Sequence, residues 1–192
     1  MAENKQIHII AGPNGAGKSS HARVTLLPDF LKSKTFINAD EIAKFLSPHD
    51  PQESAVEAGR LMLNKIDFLV NEGADFAFET TLAARSYLRL IERSQALGYK
   101  INLIFLALQS PELAKIRVQN RVAKGGHNIE EPVIDRRFLR GIKNLKDYLS
   151  LVDTALIYEA SGPELIEIAQ KNEDQIVISN EILWSKIHNL SS

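Results

Sequence analysis

A three-layer α/β fold, with a mostly parallel sheet flanked by helices, is the architecture this sequence predicts, and three observations carry the prediction. Short apolar runs alternate with longer stretches whose apolar residues recur at helical spacing, the pattern of successive βαβ units. One run, residues 101–108, is apolar almost throughout, as a central strand covered on both faces must be. A glycine-rich octet follows the first run directly and leads into a helix.

Taken in order, Ile7-His8-Ile9-Ile10-Ala11 reads as a buried strand ending at that octet. Residues 35–38 are a second strand candidate, and Asp40 opens a short helix through Ile42, Ala43, Phe45 and Leu46. Asp50-Pro51-Gln52-Glu53 predicts the next helix start: Asp at the cap, Pro in the first turn, Glu closing a capping box. Behind it Ala55, Val56, Gly59, Met62, Leu63, Ile66, Leu69 and Val70 repeat at helical spacing until Gly73 ends the helix. Phe76-Ala77-Phe78-Glu79 is the third strand, followed by a helix over about 83–97 closed by Gly98. After the central run, Ser110-Pro111-Glu112 starts a helix that reaches about residue 124 and is broken by Gly125-Gly126. Pro132 restarts a helix with Ile134, Phe138, Ile142, Leu145 and Leu149 on one face, and residues 155–158 form a further strand. In the tail, residues 165–168 and 176–178 flank Lys171-Asn172-Glu173-Asp174, which predicts a hairpin, and a short helix holds Ile182, Leu183, Trp184 and Ile187. No repeat or Gly/Ser/Pro-rich linker interrupts the chain, so residues 1–192 are expected to form one domain, its hairpin and final helix over about 162–190.

The composition narrows the function classes. An apolar fraction of 44% with 24% charged residues is that of an ordinary water-soluble domain. Net charge is −1, so no overall field draws the chain to nucleic acid or anionic lipid, and anion binding must be local. The absence of cysteine removes disulfides, thiolate metal sites and cysteine nucleophiles. Without a signal-peptide core or an uncharged stretch near the roughly 20 residues that span a bilayer, a cytoplasmic protein with no membrane partner is expected.

The octet Gly12-Pro13-Asn14-Gly15-Ala16-Gly17-Lys18-Ser19 matches G-x-x-x-x-G-K-[ST] in full, the phosphate loop of P-loop NTPases and kinases. Glycines let backbone N–H groups turn inward as a cradle for phosphate oxygens, and the following helix adds the positive end of its dipole. Lys18 supplies a point charge to the β- and γ-phosphates of ATP and the Ser19 hydroxyl can ligate Mg²⁺; Ser20 completes the predicted nucleotide-binding set. The same octet resembles the loop of ABC transporter ATPases. The chain nevertheless lacks a Leu-Ser-Gly-Gly-Gln signature and an apolar strand ending in Asp-Glu, since its best strand ends Leu106-Ala107-Leu108-Gln109.

In a parallel α/β sheet, ligands collect beyond the carboxyl ends of the strands, and two carboxylates stand there. Asp40 either takes the proton of an attacking hydroxyl or caps its helix; Glu79 either holds the acceptor or a metal-bound water or is a surface residue. Thr80 and Thr81 are helix caps or hydroxyls facing the acceptor. Arg117 and Arg121 lie one helical turn apart, and Arg136, Arg137 and Arg140 follow the Gly125-Gly126 break. That clustering predicts a lid over about 117–140 closing on nucleotide, with His127 a candidate contact, against the alternative of a solvated basic face.

Ala11 to Ser19, Ile37-Asn38-Ala39-Asp40-Glu41-Ile42, Phe78-Glu79-Thr80-Thr81-Leu82, Arg121, Gly125-Gly126-His127 and Arg136-Arg137, in that order, resemble the zeta toxin family over roughly residues 6–160. More narrowly they are similar to small stand-alone zeta-like P-loop proteins often labelled predicted ABC-type ATPases. Zeta toxins are kinases that use ATP and Mg²⁺ to phosphorylate the 3′-hydroxyl of UDP-N-acetylglucosamine and related sugar nucleotides. The resemblance implies a kinase in which Asp40 is the catalytic base, with Lys18 and Arg121 serving the transfer. It puts Glu79 and Thr81 on acceptor-binding positions, Arg121 on ATP phosphates, and Arg136 or Arg137 at a second phosphate-binding position. It also implies a small-molecule acceptor, a UDP-sugar, and an antitoxin partner. Glu79-Thr80-Thr81 departs from the acidic-Gly-Thr pattern of characterised toxins, which opens the acceptor to a nucleoside, another sugar or an RNA end. A regulatory module that only binds ATP is the reading from another class.

Overall fold

The computed structural model describes residues 5–126 and 128–191; His127 lies outside them. Among the described residues seven strands form one sheet in the order β2-β3-β1-β4-β5-β6-β7. These are β1 (Gln6–Ala11), β2 (Thr35–Ile37), β3 (Phe76–Thr80), β4 (Lys100–Ala107), β5 (Thr154–Glu159), β6 (Ile166–Asn172) and β7 (Gln175–Ile178). The first five pair in parallel, and β6 and β7 extend the sheet antiparallel as the predicted hairpin, turning at Glu173 and Asp174. The helices are α1 (Lys18–His21), α2 (Pro28–Ser33), α3 (Ala39–Leu46), α4 (Ala55–Asn71), α5 (Ser86–Ala96), α6 (Pro111–Ala123), α7 (Glu131–Leu151) and α8 (Glu181–Ser191), with a π-helical turn at Ala22–Leu26.

Register explains the core. Ile7 is level with Phe76 and Ile101, and Ile9 with Phe78 and Leu103, so these side chains share one sheet face. Tyr87 of α5 lies against Phe78, ring centroids 5.0 Å apart, and its hydroxyl reaches Met62 of α4. The opposite face carries Ile10, Glu79 and Ile104 level with one another, and below them His8 level with Ala77 and Asn102. Phe30 of α2 covers His8 at 4.4 Å between ring centroids. Connections leaving β1 and β4 run in opposite directions along the sheet, which opens a crevice at their carboxyl ends.

Local departures from the sequence expectation have local causes. The helix start predicted at Asp50-Pro51 is a turn: Asp50 Oδ1 accepts from the Gln52 N–H at 3.1 Å, and α4 begins only at Ala55. A side chain that satisfies the N–H two residues on competes with the helix it was expected to cap. On α4 the buried stripe is Ala58, Met62, Ile66, Leu69 and Val70, while Val56 is 71% exposed. The helix expected from about residue 83 begins at Ser86, because residues 81–85 form a loop with Leu82 in the left-handed region at φ 56°.

Candidate active site

The phosphate loop occupies Gly12–17 between β1 and α1. Its shape is fixed by how closely it packs. A Cβ on Gly12, at φ 141°, would sit 2.3 Å from the Leu106 carbonyl oxygen of β4. One on Gly15, at φ 80°, would sit 2.9 Å from the Ala114 carbonyl oxygen of α6. The N–H groups of Gly15 and Gly17 have no acceptor among the described residues, and neither has the buried Asn14 Oδ1 a donor. Pro13 and Ala16 are buried within the loop; Ser20 is exposed on α1. Lys18 is 6% exposed, and its ammonium donates to the Pro13 carbonyl at 2.9 Å. Free inward N–H groups beside a buried cation are what a polyphosphate needs, so the residues present fit ATP.

Beside the loop stands a carboxylate delivered by β3, the neighbour of β1. Ser19 Oγ donates to Glu79 Oε2 at 2.5 Å, and Glu79 Oε1 lies 3.6 Å from Lys18 Nζ. The strand-end carboxylate sought on the long apolar run thus comes instead from Phe78-Glu79, because β3 and not β4 brings its end to Ser19. Serine hydroxyl and carboxylate are hard oxygen donors of the kind Mg²⁺ takes, and the pair fits that ion. Among the described residues no three His, Asp or Glu side chains cluster as a metal site by themselves. A bound Mg²⁺ would therefore draw further oxygens from phosphate and water.

Across a cleft of about 390 Å³, the Ser19–Glu79 pair faces Asp40 on one wall and Arg136, Arg137 and Arg140 of α7 on another. Asn38, not Asp40, caps α3: its Oδ1 accepts from the Asp40 N–H at 2.8 Å. The Asp40 carboxylate is thereby left pointing to the cleft, without a hydrogen-bond partner among the described residues. Burial lowers the Arg137 pKa from the usual guanidinium value; the Asp40 charge opposes that shift and the Arg136 charge adds to it. Of the two arginines left open by the sequence, Arg137 is the half-buried one and Arg136 the exposed one, and both line the cleft.

Thr80, the last residue of β3, and Thr81, the first of the loop after it, enter the same cleft. Neither is a helix cap. Thr80 Oγ1 accepts from the Leu82 N–H at 3.2 Å, which braces the left-handed Leu82. Three residues of α7 pin this loop from the other side. Asn144 Nδ2 donates to the Leu82 carbonyl at 2.8 Å and the Tyr148 hydroxyl to the Ala84 carbonyl at 2.5 Å. Gly141 lets α7 approach so closely that a Cβ there would sit 2.3 Å from the Thr81 carbonyl oxygen. Burial raises the Tyr148 pKa, so its hydroxyl keeps the proton it donates.

The arginines of α6 stand apart from this cleft. Arg117 donates to the carbonyls of Gly15, Ala160 and Ser161 at 3.3, 2.7 and 2.6 Å, clamping the phosphate loop to the end of β5. Arg121 lines a separate concavity of about 410 Å³ with Arg117, Asn120, Lys124 and Gly125–126. Of the predicted lid arginines, the structure gathers those of α7 on the cleft and leaves Arg121 at that separate concavity. Sequence reasoning did not single out Asn38, Gly141, Asn144 or Tyr148 as site residues. Only Asn38 left a local signal, standing two residues before Asp40 at the mouth of a helix.

The sequence profile of the zeta toxin family matches residues 1–180. The chain belongs to the zeta toxin family. An uncharacterized protein of Haemophilus influenzae is 28% identical over 140 residues, 72% of this chain and 95% of that protein. Among solved structures, a chain of the AvrRxo1-ORF1:AvrRxo1-ORF2 complex superposes with a TM-score of 0.79 at 17% identity, covering 95% of this zeta toxin family member. The match spans 63% of the AvrRxo1 complex chain, so the present chain covers less than two thirds of that neighbour's length. A chain of the PezAT toxin–antitoxin system of Streptococcus pneumoniae superposes with a TM-score of 0.65 at 16% identity, over 96% of this chain and 78% of that one. These likenesses establish a P-loop α/β fold, and membership in the zeta toxin family supports a nucleotide-binding phosphotransferase. Among the described residues no helix is long and apolar enough to cross a membrane.

Proposed function

We propose that this protein is an ATP- and Mg²⁺-dependent phosphotransferase acting on a small-molecule hydroxyl, with a UDP-N-acetylglucosamine-type sugar nucleotide as its acceptor. The observation that carries this reading is convergence: one cleft holds the phosphate-loop lysine, the Ser19–Glu79 pair, the unpartnered Asp40 carboxylate and three α7 guanidiniums. A module that only bound ATP would need the first two and not the rest.

In this reading the loop N–H groups and Lys18 bind the phosphate oxygens of ATP. Bound Mg²⁺ supplies charge neutralisation at those oxygens, and Ser19 and Glu79 are the residues that would hold it. Asp40 accepts the acceptor's hydroxyl proton as that oxygen bonds to the γ-phosphorus and the bond to the ADP oxygen breaks. Arg136 and Arg137 stabilise the negative charge on the transferring group, and the half-buried Arg137 interacts the more strongly for being less solvated. Thr80 and Thr81 present hydroxyls to the acceptor. Arg121, outside the cleft and one helical turn beyond the Arg117 that grips the phosphate loop, suits the outer part of the nucleotide rather than its γ-phosphate.

The family supports the UDP-sugar, and the PezAT neighbour, part of a toxin–antitoxin system, supports an antitoxin partner. Dependence on ATP and a sugar nucleotide supports a cytoplasmic location. The test is incubation with labelled ATP and UDP-N-acetylglucosamine, reading a phosphorylated sugar nucleotide by mass. Asp40→Asn should cut transfer by about 100-fold or more while ATP affinity stays within about twofold. Undiminished transfer by that variant removes Asp40 as the base.

A further inference from the structure

The Asn38 side chain does more than start a helix. It is 7% exposed, and both ends of its amide have partners. Oδ1 accepts from the Asp40 N–H at 2.8 Å, and since a backbone N–H requires an oxygen there, the amide can face only one way. Nδ2 is thereby turned to the opposite side, where it donates to Glu79 Oε2 at 3.1 Å and to Ser19 Oγ at 3.3 Å. One side chain thus touches both members of the candidate metal pair and the first turn of the helix carrying the candidate base.

The geometry points to Asn38 as a positioning residue that presents the Ser19–Glu79 pair to a divalent cation and sets that pair's position relative to Asp40. This rests on the phosphotransferase reading of the same cleft. Glu79 has two directions in which to find a donor. Its Oε1 already pairs with the buried Lys18 ammonium at 3.6 Å, and a closer approach would tie up the cation the phosphates need. The Asn38 donor holds Oε2 on the Ser19 side, so the carboxylate stays directed at the hydroxyl and draws no closer to the lysine. Outer ligands of this kind orient the groups that touch a metal and strengthen its binding.

Serine is as good a helix cap as asparagine but cannot span to both Glu79 and Ser19, so Asn38→Ser separates the two roles. The full chain is titrated with a fluorescent ATP analogue in EDTA and again in MgCl₂, and melted without ligand. Asn38→Ser is expected to melt close to the wild type and to bind the analogue equally in EDTA. Its gain in affinity on adding Mg²⁺ should fall by about tenfold. Asn38→Ala should show the same lost Mg²⁺ response together with a lower melting temperature from the missing cap. An unchanged Mg²⁺ response in Asn38→Ser overturns the assignment, as does an equal loss in EDTA and in Mg²⁺, which marks a purely structural part. A wild-type protein whose nucleotide affinity ignores Mg²⁺ overturns instead the phosphotransferase reading on which the assignment stands.

Discussion

The loops after β1 and β3 leave neighbouring parallel strands at the same edge of the sheet and reach the same cleft, yet they are held by opposite means. The β1 loop is shaped from within. Its glycines take up left-handed backbone and approach β4 and α6 at distances no side chain would allow. The β3 loop has no glycine. Its left-handed residue is the fully buried Leu82, kept there by Thr80 from within and by Gly141, Asn144 and Tyr148 from a helix some sixty residues away. A loop built on glycine needs little from the rest of the chain and can be read locally. A loop held in a strained conformation by a distant helix is only as firm as that helix, and its strain is a sign of function.

The comparison makes graded predictions. Gly12→Ala should have the largest effect, because the new Cβ meets backbone that cannot step aside. Nucleotide affinity should fall by about 100-fold or more and stability by about 3 kcal/mol, read by analogue binding and urea unfolding. If affinity survives, the β1 loop is more pliable than its packing implies.

Gly141→Ala and Asn144→Leu act on the other loop. Each should destabilise by about 2 kcal/mol, the first by collision with the Thr81 carbonyl and the second by leaving the Leu82 carbonyl unsatisfied. Transfer to UDP-N-acetylglucosamine should drop about tenfold while ATP-analogue affinity changes less than twofold. Equal losses on the two substrates would show that the loops are not independently held.

The strand beneath the first loop carries a further liability. Burial lowers the His8 pKa to about 4, against a smaller opposing effect of Asp75. Its Nδ1 has no partner while Nε2 meets Gln6 Oε1 at 3.2 Å, so the neutral ring is the folded form. Between the unfolded value near 6.5 and about 4, the unfolded chain binds a proton that the native chain refuses. Stability is therefore full above pH 6.5 and falls as pH drops through that window, by about 3 kcal/mol. Urea midpoints taken from pH 7 to pH 4 test this, and His8→Phe should flatten the slope there.

The smallest effect belongs to the hairpin. Val177 is 55% exposed on β7, away from the cleft, and Val177→Thr should change stability by no more than about 0.5 kcal/mol and leave nucleotide binding unaltered.

How much of this was legible varied with the range of the cause. The order of strands and helices, the hairpin turn and the phosphate loop follow from neighbours within a few residues, and the structure has them where periodicity and turn chemistry put them. The turn at Asp50 was misread because a cap and an Asx turn begin with the same residue, and the sequence does not say which backbone hydrogen bond wins. Asp40 and Glu79 were picked out by standing at strand ends, but their surroundings were not. That Glu79 meets Ser19 depends on β3 lying beside β1, whereas the choice of Asn38 over Asp40 as cap is a local one between two competent cap residues.

By itself, then, the sequence determined the P-loop fold class, the phosphate cradle and the pool of carboxylates and arginines available for chemistry. Only the tertiary structure divided that pool. It sent Arg117 to three backbone carbonyls, set Arg121 beside a separate concavity, and drew Arg136, Arg137 and Arg140 onto the cleft with α7. The reason is physical: propensities and turns act over a few residues, whereas the partner of a charged side chain is set by which elements the sheet order brings together.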